Sequence, residues 1–151
     1  MWDIRYSPAS LLLSPENRPY TYLELQEPAT SPPTTTMHLT HPLLPWWIEV
    51  TSHSAPGSII SISHLLTQVY YELQRQVMES DYWNEGMSEE DRRLIDRAWR
   101  HRCAGDIEEA RRGIRRVDFL LDEFIFMGIT KRGEGEWELK IKRRPMTAKG
   151  R

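Results

Sequence analysis

Eight of the ten prolines fall within residues 1–45, at positions 8, 15, 19, 28, 32, 33, 42 and 45. Proline lacks a backbone N–H and holds φ near −65°, so neither a long helix nor a central strand can run uninterrupted through that stretch. The spacing predicts extended, proline-rich segments lying over the body of the fold. Short strands are expected at 2–6, 20–25 and 35–40, the last following the turn-rich ATSPPT. The regular elements must then be concentrated after residue 45.

They are legible there. PWWIEV is aromatic and β-branched, predicting a strand over 47–51, and the Pro-Gly of SAPGS marks a turn before a second strand over 59–62. Ser63 offers a helix cap, after which Leu66, Val69, Tyr70, Leu73 and Val77 recur at helical spacing. In SEEDRRLIDRAWRHRC, Ser88 is a second cap, with acids in the first turn and bases in the last, complementing the helix dipole; Leu94, Ile95, Ala98 and Trp99 form the apolar stripe. A short third helix over 106–112 stops at Gly113. FIFMGIT and WELKIK then alternate with period two around the turn RGEGE, turning Trp137, Leu139 and Ile141 inward. This order predicts an α+β fold, an antiparallel sheet of about four to six strands with two or three helices packed on one face. One domain is expected over 1–144, with residues 1–45 extended over the body, followed by a basic tail at 145–151.

At 151 residues the chain suffices for one core. A formal net charge of −2 argues against a general polyanion binder. The balance is uneven, because the end KIKRRPMTAKGR is basic. Nucleic-acid binding is therefore expected to be limited to weak contacts of the tail. The single cysteine, Cys103, excludes an intrachain disulfide. The leucines at 11–13 are too few for a signal-peptide core, and no apolar run approaches a membrane span. These features predict an intracellular, non-membrane protein, cytoplasmic or alternatively nuclear.

WDIRYSPAS, ATSPPTTTMHL, PWWIEV, RRVDFL, FMGI and the WEL at 137–139, taken in this order, resemble a domain family of unknown function widespread in mushroom-forming basidiomycete fungi. The likeness covers nearly the whole chain up to Arg144. It implies a lineage and a single domain, and supplies no activity or cofactor.

Residue spacing disfavours several chemistries. His38 and His41 lie three apart on an expected strand and so point to opposite faces, which argues against a shared metal ion. His101 and Cys103 are two apart on a helix end, which does not make a catalytic pair; Cys103 reads as a buried structural thiol. Neither a G-x-S-x-G elbow nor a phosphate-binding loop or dinucleotide fingerprint occurs, and no cofactor is expected.

RRVDFL is the best candidate site. Taken as a strand, it puts Arg116, Asp118 and Leu120 on one face. Arg116 is expected to pair with Asp118 or with Glu49 of WWIEV, and Arg102 is a further candidate partner. Buried charges must be paired, so this cluster reads as scaffolding that borders a pocket. Trp46 and Trp47 are consecutive, so an extended backbone sends only one of them to the core. The other needs cover from the proline-rich segment or from a partner. The leading expectation is a non-enzymatic interaction module binding protein or peptide through this aromatic patch or a sheet edge. The alternative is a small-molecule-binding domain or small enzyme, its pocket between sheet and helices lined by Trp47, Tyr70, Trp137 and the Arg116, Asp118 and Glu49 cluster.

Overall fold

A computed structural model of the chain describes residues 2–8, 18–52, 55 and 57–145. Five strands, β1 (Trp2–Asp3), β2 (Thr36–Thr40), β3 (Ile48–Thr51), β4 (Glu123–Gly133) and β5 (Glu136–Arg143), form one sheet in the order β1-β4-β5-β2-β3. Three antiparallel pairings, β1 with β4, β4 with β5 and β2 with β3, are joined into one sheet by β2 running parallel to β5. At that seam His38 lies opposite Glu136 and Leu39 opposite Trp137. The sheet is therefore mixed, not antiparallel throughout. Alternation along a strand decides which side chains face the core but carries no information on the direction of its neighbour.

The described residues contain five α-helices: α1 (Tyr22–Leu25), α2 (Ile62–Leu73), α3 (Glu79–Tyr82), α4 (Glu89–Cys103) and α5 (Ile107–Arg111). A 3₁₀ helix follows at Arg116–Leu120. The core forms where Met37, Leu39, Ile48, Val50 and Leu139 of the sheet meet Leu65, Leu66, Val69 and Leu73 of α2, joined by Val117 and Leu120 of the 3₁₀ helix. Alternate sheet positions, including His38, Glu49, Glu138 and Lys140, fall on the polar opposite face.

Expected α4 and α5 match closely. Ser88 Oγ accepts the Asp91 N–H at 3.0 Å while the Asp91 carboxylate accepts the Ser88 N–H at 3.1 Å, a reciprocal cap that starts α4. Asp106 caps α5, and Gly113, at φ 77°, follows its end. Trp137, Leu139 and Ile141 do face inward, with Leu139 fully buried.

Four local expectations are corrected. Residues 20–25 are not a strand, because Thr21 and Glu24 close a capping box and start α1; Glu24 Oε2 accepts the Thr21 N–H at 2.8 Å. Residues 59–62 make only an isolated bridge from Ser61 to Pro28. Ser61, not Ser63, caps α2 by accepting the His64 N–H, and the helix ends at Leu73; the Val77 N–H goes instead to the Ile114 carbonyl at 3.0 Å. Lastly, 116–120 is helical rather than extended. Val117, Asp118, Phe119 and Leu120 are buried consecutively, which a strand with one wet face cannot achieve. Asp118 also accepts the Arg115 N–H at 2.9 Å, folding the chain back on itself. The expected proline-rich cover falls partly on 9–17, outside the described residues, as do residues 53, 54 and 56 around the Pro-Gly turn and residues 146–151 of the tail. The described segments before residue 45 contribute an edge strand, a helical turn and an interior strand, so they build the body as well as edge it.

Candidate functional site

The RRVDFL charges resolve into two separate clusters. In the first, Asp118 is 3% exposed and its carboxylate accepts Nε of Arg102 at 2.7 Å and Nη2 at 2.9 Å, besides the Arg115 N–H. Arg102 further donates to Glu109 Oε2 at 3.2 Å and to the Gly113 carbonyl at 3.3 Å. Arg115 pairs with Glu109 at 3.0 Å and donates to Gln74 Oε1 at 2.6 Å. Burial alone pulls the Arg102 guanidinium's pKa down, yet the hydrogen bonds and charge of Asp118 outweigh it and raise the value. This network ties the end of α4, α5, the 3₁₀ helix and the residues after α2 into one unit.

The second cluster is aromatic. Trp46 packs its ring 4.7 Å from Phe119 on one side, and the Arg116 guanidinium lies 4.6 Å from its centroid. Arg116 pairs with Glu72 at 3.3 Å rather than with Asp118 or Glu49. Burial and the neighbouring Arg75 pull its pKa down, with Glu72 opposing. The consecutive tryptophans do part company: Trp47 turns to the polar face, 63% exposed, its ring 5.5 Å from His38. Glu49 lies exposed on β3, across from His38. Tyr70 and Trp137 pack against the core, and the Trp137 Nε1 is buried without a hydrogen-bond partner among the described residues. Of the eight candidates, Arg102 meets Asp118 and Trp46 meets Arg116, while Trp47, Glu49, Tyr70 and Trp137 stay apart from both pairs.

A cleft of about 1000 Å³ opens where α4 faces the 3₁₀ helix and the outer ends of β4 and β5. Leu94, Arg97, Ala98 and His101 line its helical wall. These positions follow the i, i+3, i+4, i+7 spacing of one helix face. Val117, Leu121 and Phe124 supply apolar lining, and Arg143, Arg144 and Pro145 form the opposing rim. Asp118 is the only one of the eight candidates that reaches it.

The charges of the lining sort into committed and free. Arg5 is held by Asp3 at 2.6 Å and lies 3.5 Å from the Phe124 ring centroid; Asp118 is held by Arg102; Asp122 pairs with Arg143 at 3.1 Å. Arg97, His101 and Arg144 are exposed and have no hydrogen-bonding or ionic partner among the described residues. The uncompensated charge of the cleft is therefore positive, set beside apolar wall. Sequence reading reached Leu94 and Ala98 as a stripe but missed Arg97, His101 and Arg144. Arg97 and His101, four apart beside that stripe, were a legible signal; that the β5 end faces them was not. Cys103 is buried, as expected, and burial pushes its thiol pKa up, away from a reactive thiolate. Among the described residues no three His, Cys, Asp or Glu side chains gather as a metal ion would require, and no helix is long and apolar enough to cross a membrane.

Fold and cleft together define a small α+β domain with a cation-rimmed, apolar-lined groove at one end of a mixed sheet. The chain belongs to the family of unknown function DUF6699, whose model matches residues 1–136. That span takes in Arg5, Arg97, His101 and Phe124, while Arg143 and Arg144 lie beyond it. No curated protein and no solved structure matches the chain.

Proposed function

We propose that the domain is a non-enzymatic, intracellular binding module that holds an anionic protein partner in the α4 cleft. One observation carries the reading: both carboxylates lining the cleft are engaged by arginines, while Arg97, His101 and Arg144 at its mouth have no partner among the described residues. A general base needs a carboxylate or imidazole poised beside a nucleophile, and the lining offers no such pair. Exposed arginines beside apolar surface suit recognition instead. The sheet edge supports docking less well, because β3 is short and the Gln68 amide already bonds the Thr51 N–H and carbonyl at 3.1 and 2.6 Å.

Any ligand of the native state raises its melting temperature. Poly-L-glutamate at low ionic strength is expected to raise that of the wild-type protein and to leave that of the Arg97→Glu, Arg144→Glu double variant unchanged. An equal shift in both proteins, or none in either, overturns the reading.

A further inference from the structure

Resting on that reading, we infer that the cleft takes a short extended peptide segment of the pattern acid–apolar–acid. Three features of the cleft converge on this class.

The first is length. The helical wall runs from Leu94 to His101, seven residues at 1.5 Å each, or about 10 Å. An extended chain covers that distance in about three residues, and their side chains alternate between opposite sides. A middle apolar residue then meets Leu94, Ala98, Val117, Leu121 and Phe124, while its two neighbours project toward the mouth.

The second is charge. The mouth carries the guanidinium of Arg97 on the helix side, beside the hydrogen-bonding imidazole of His101, and that of Arg144 on the strand side, all exposed. Guanidinium groups bind carboxylates through paired N–H donors, the chemistry by which arginine clusters read acidic motifs. The positive region is local: Glu89, Glu90 and Asp91 occupy the first turn of α4, and Asp122 flanks Arg143. A long polyanion such as nucleic acid would run from the cleft into those acids, whereas a segment with two carboxylates would not.

The third is openness. Small-molecule pockets enclose most of their ligand. Here Arg97, His101, Asp122, Arg143 and Arg144 are all exposed, so the groove stays open along its rim and an occupant can enter and leave it as a continuous chain.

The test is fluorescence anisotropy on the full chain with a labelled acetyl-Gly-Asp-Leu-Glu-Gly-amide probe at low salt. Binding is expected, weakened about tenfold or more when the acids become Asn and Gln, and likewise when Leu becomes Gly. Arg97→Glu with Arg144→Glu should abolish it, and Ala98→Trp, which fills the groove without altering its charge, should do the same. Circular dichroism confirms that each variant is folded; Arg97 and Arg144 are exposed, so the double variant keeps its core. Equal affinity for the amide peptide, or binding untouched by Ala98→Trp, overturns the peptide assignment. So does octanoate or a short oligothymidylate binding the cleft more tightly than the peptide, a result that also removes the protein partner and leaves only an anion site in the cleft. Failure of poly-L-glutamate and of every one of these probes overturns both.

Discussion

The Arg102–Asp118 pair shows why one charged residue in a core depends on another. Their side chains are 8% and 2% exposed, so neither can fall back on water if its partner is removed. Arg102→Met is expected to lower unfolding free energy by about 3–5 kcal/mol in urea titrations, since it strands the Asp118 carboxylate in the interior. Adding Asp118→Leu should recover a large part of that loss, because the second change removes the stranded charge. A double variant no more stable than Arg102→Met would show that the network acts through geometry at α5 and not through charge compensation.

Helix starts and sheet edges add predictions at the level of elements. Arg18 and the Thr21 N–H hold the Glu24 carboxyl at about 2, and the Ser88 hydrogen bonds hold Asp91 below its ordinary value. Both values lie below those of an unfolded chain, so the native state gains from them above the unfolded pKa and loses that gain as pH falls through the folded one. The melting temperature should therefore drop between about pH 5 and pH 2. In a Glu24→Gln, Asp91→Asn variant that drop should be shallower, and an identical slope would count against the capping-box account. Replacing Ser88 by Ala should cost about 1 kcal/mol through loss of the α4 cap. At the sheet edge, Gln68 occupies the outward backbone groups of Thr51. Gln68→Ala is expected to cost about 1 kcal/mol and to increase light scattering on mild heating, as β3 becomes available to a second chain.

For the molecule as a whole, the decisive feature is that one core cluster takes in β1, the proline-bounded β2, α2, the 3₁₀ helix and the last hairpin. Elements distant in the sequence share it: Trp2 packs against Phe126 in a tilted ring contact, centroids 5.4 Å apart, and β2 pairs with β5. Unfolding should accordingly be a single transition, with far-ultraviolet and tryptophan near-ultraviolet circular dichroism coincident in urea. Two separated transitions would mean that the residues before 45 detach as an independent layer.

Local chemistry was written in the sequence by itself. Ser88 with Asp91, Asp106 with Gly113, and the alternation from Trp137 to Ile141 each act over a few residues, so propensity and spacing sufficed to place α4, α5 and the final hairpin. Trp46 and Trp47 do part, as consecutive positions led one to expect, but both precede β3, which starts at Ile48, so a bend and not the pleat of a strand separates them. Tertiary structure decided what depends on distant neighbours. RRVDFL scans as a strand, and it winds into a 3₁₀ helix because Arg102, sixteen residues away, satisfies Asp118 in a fully enclosed position. The parallel seam of β2 with β5 joins segments about a hundred residues apart, and no local pattern encodes it. The cleft has the same origin: Arg97 and Arg144 acquire a common mouth only when α4, packed on the 3₁₀ helix, faces the end of β5 across the cavity.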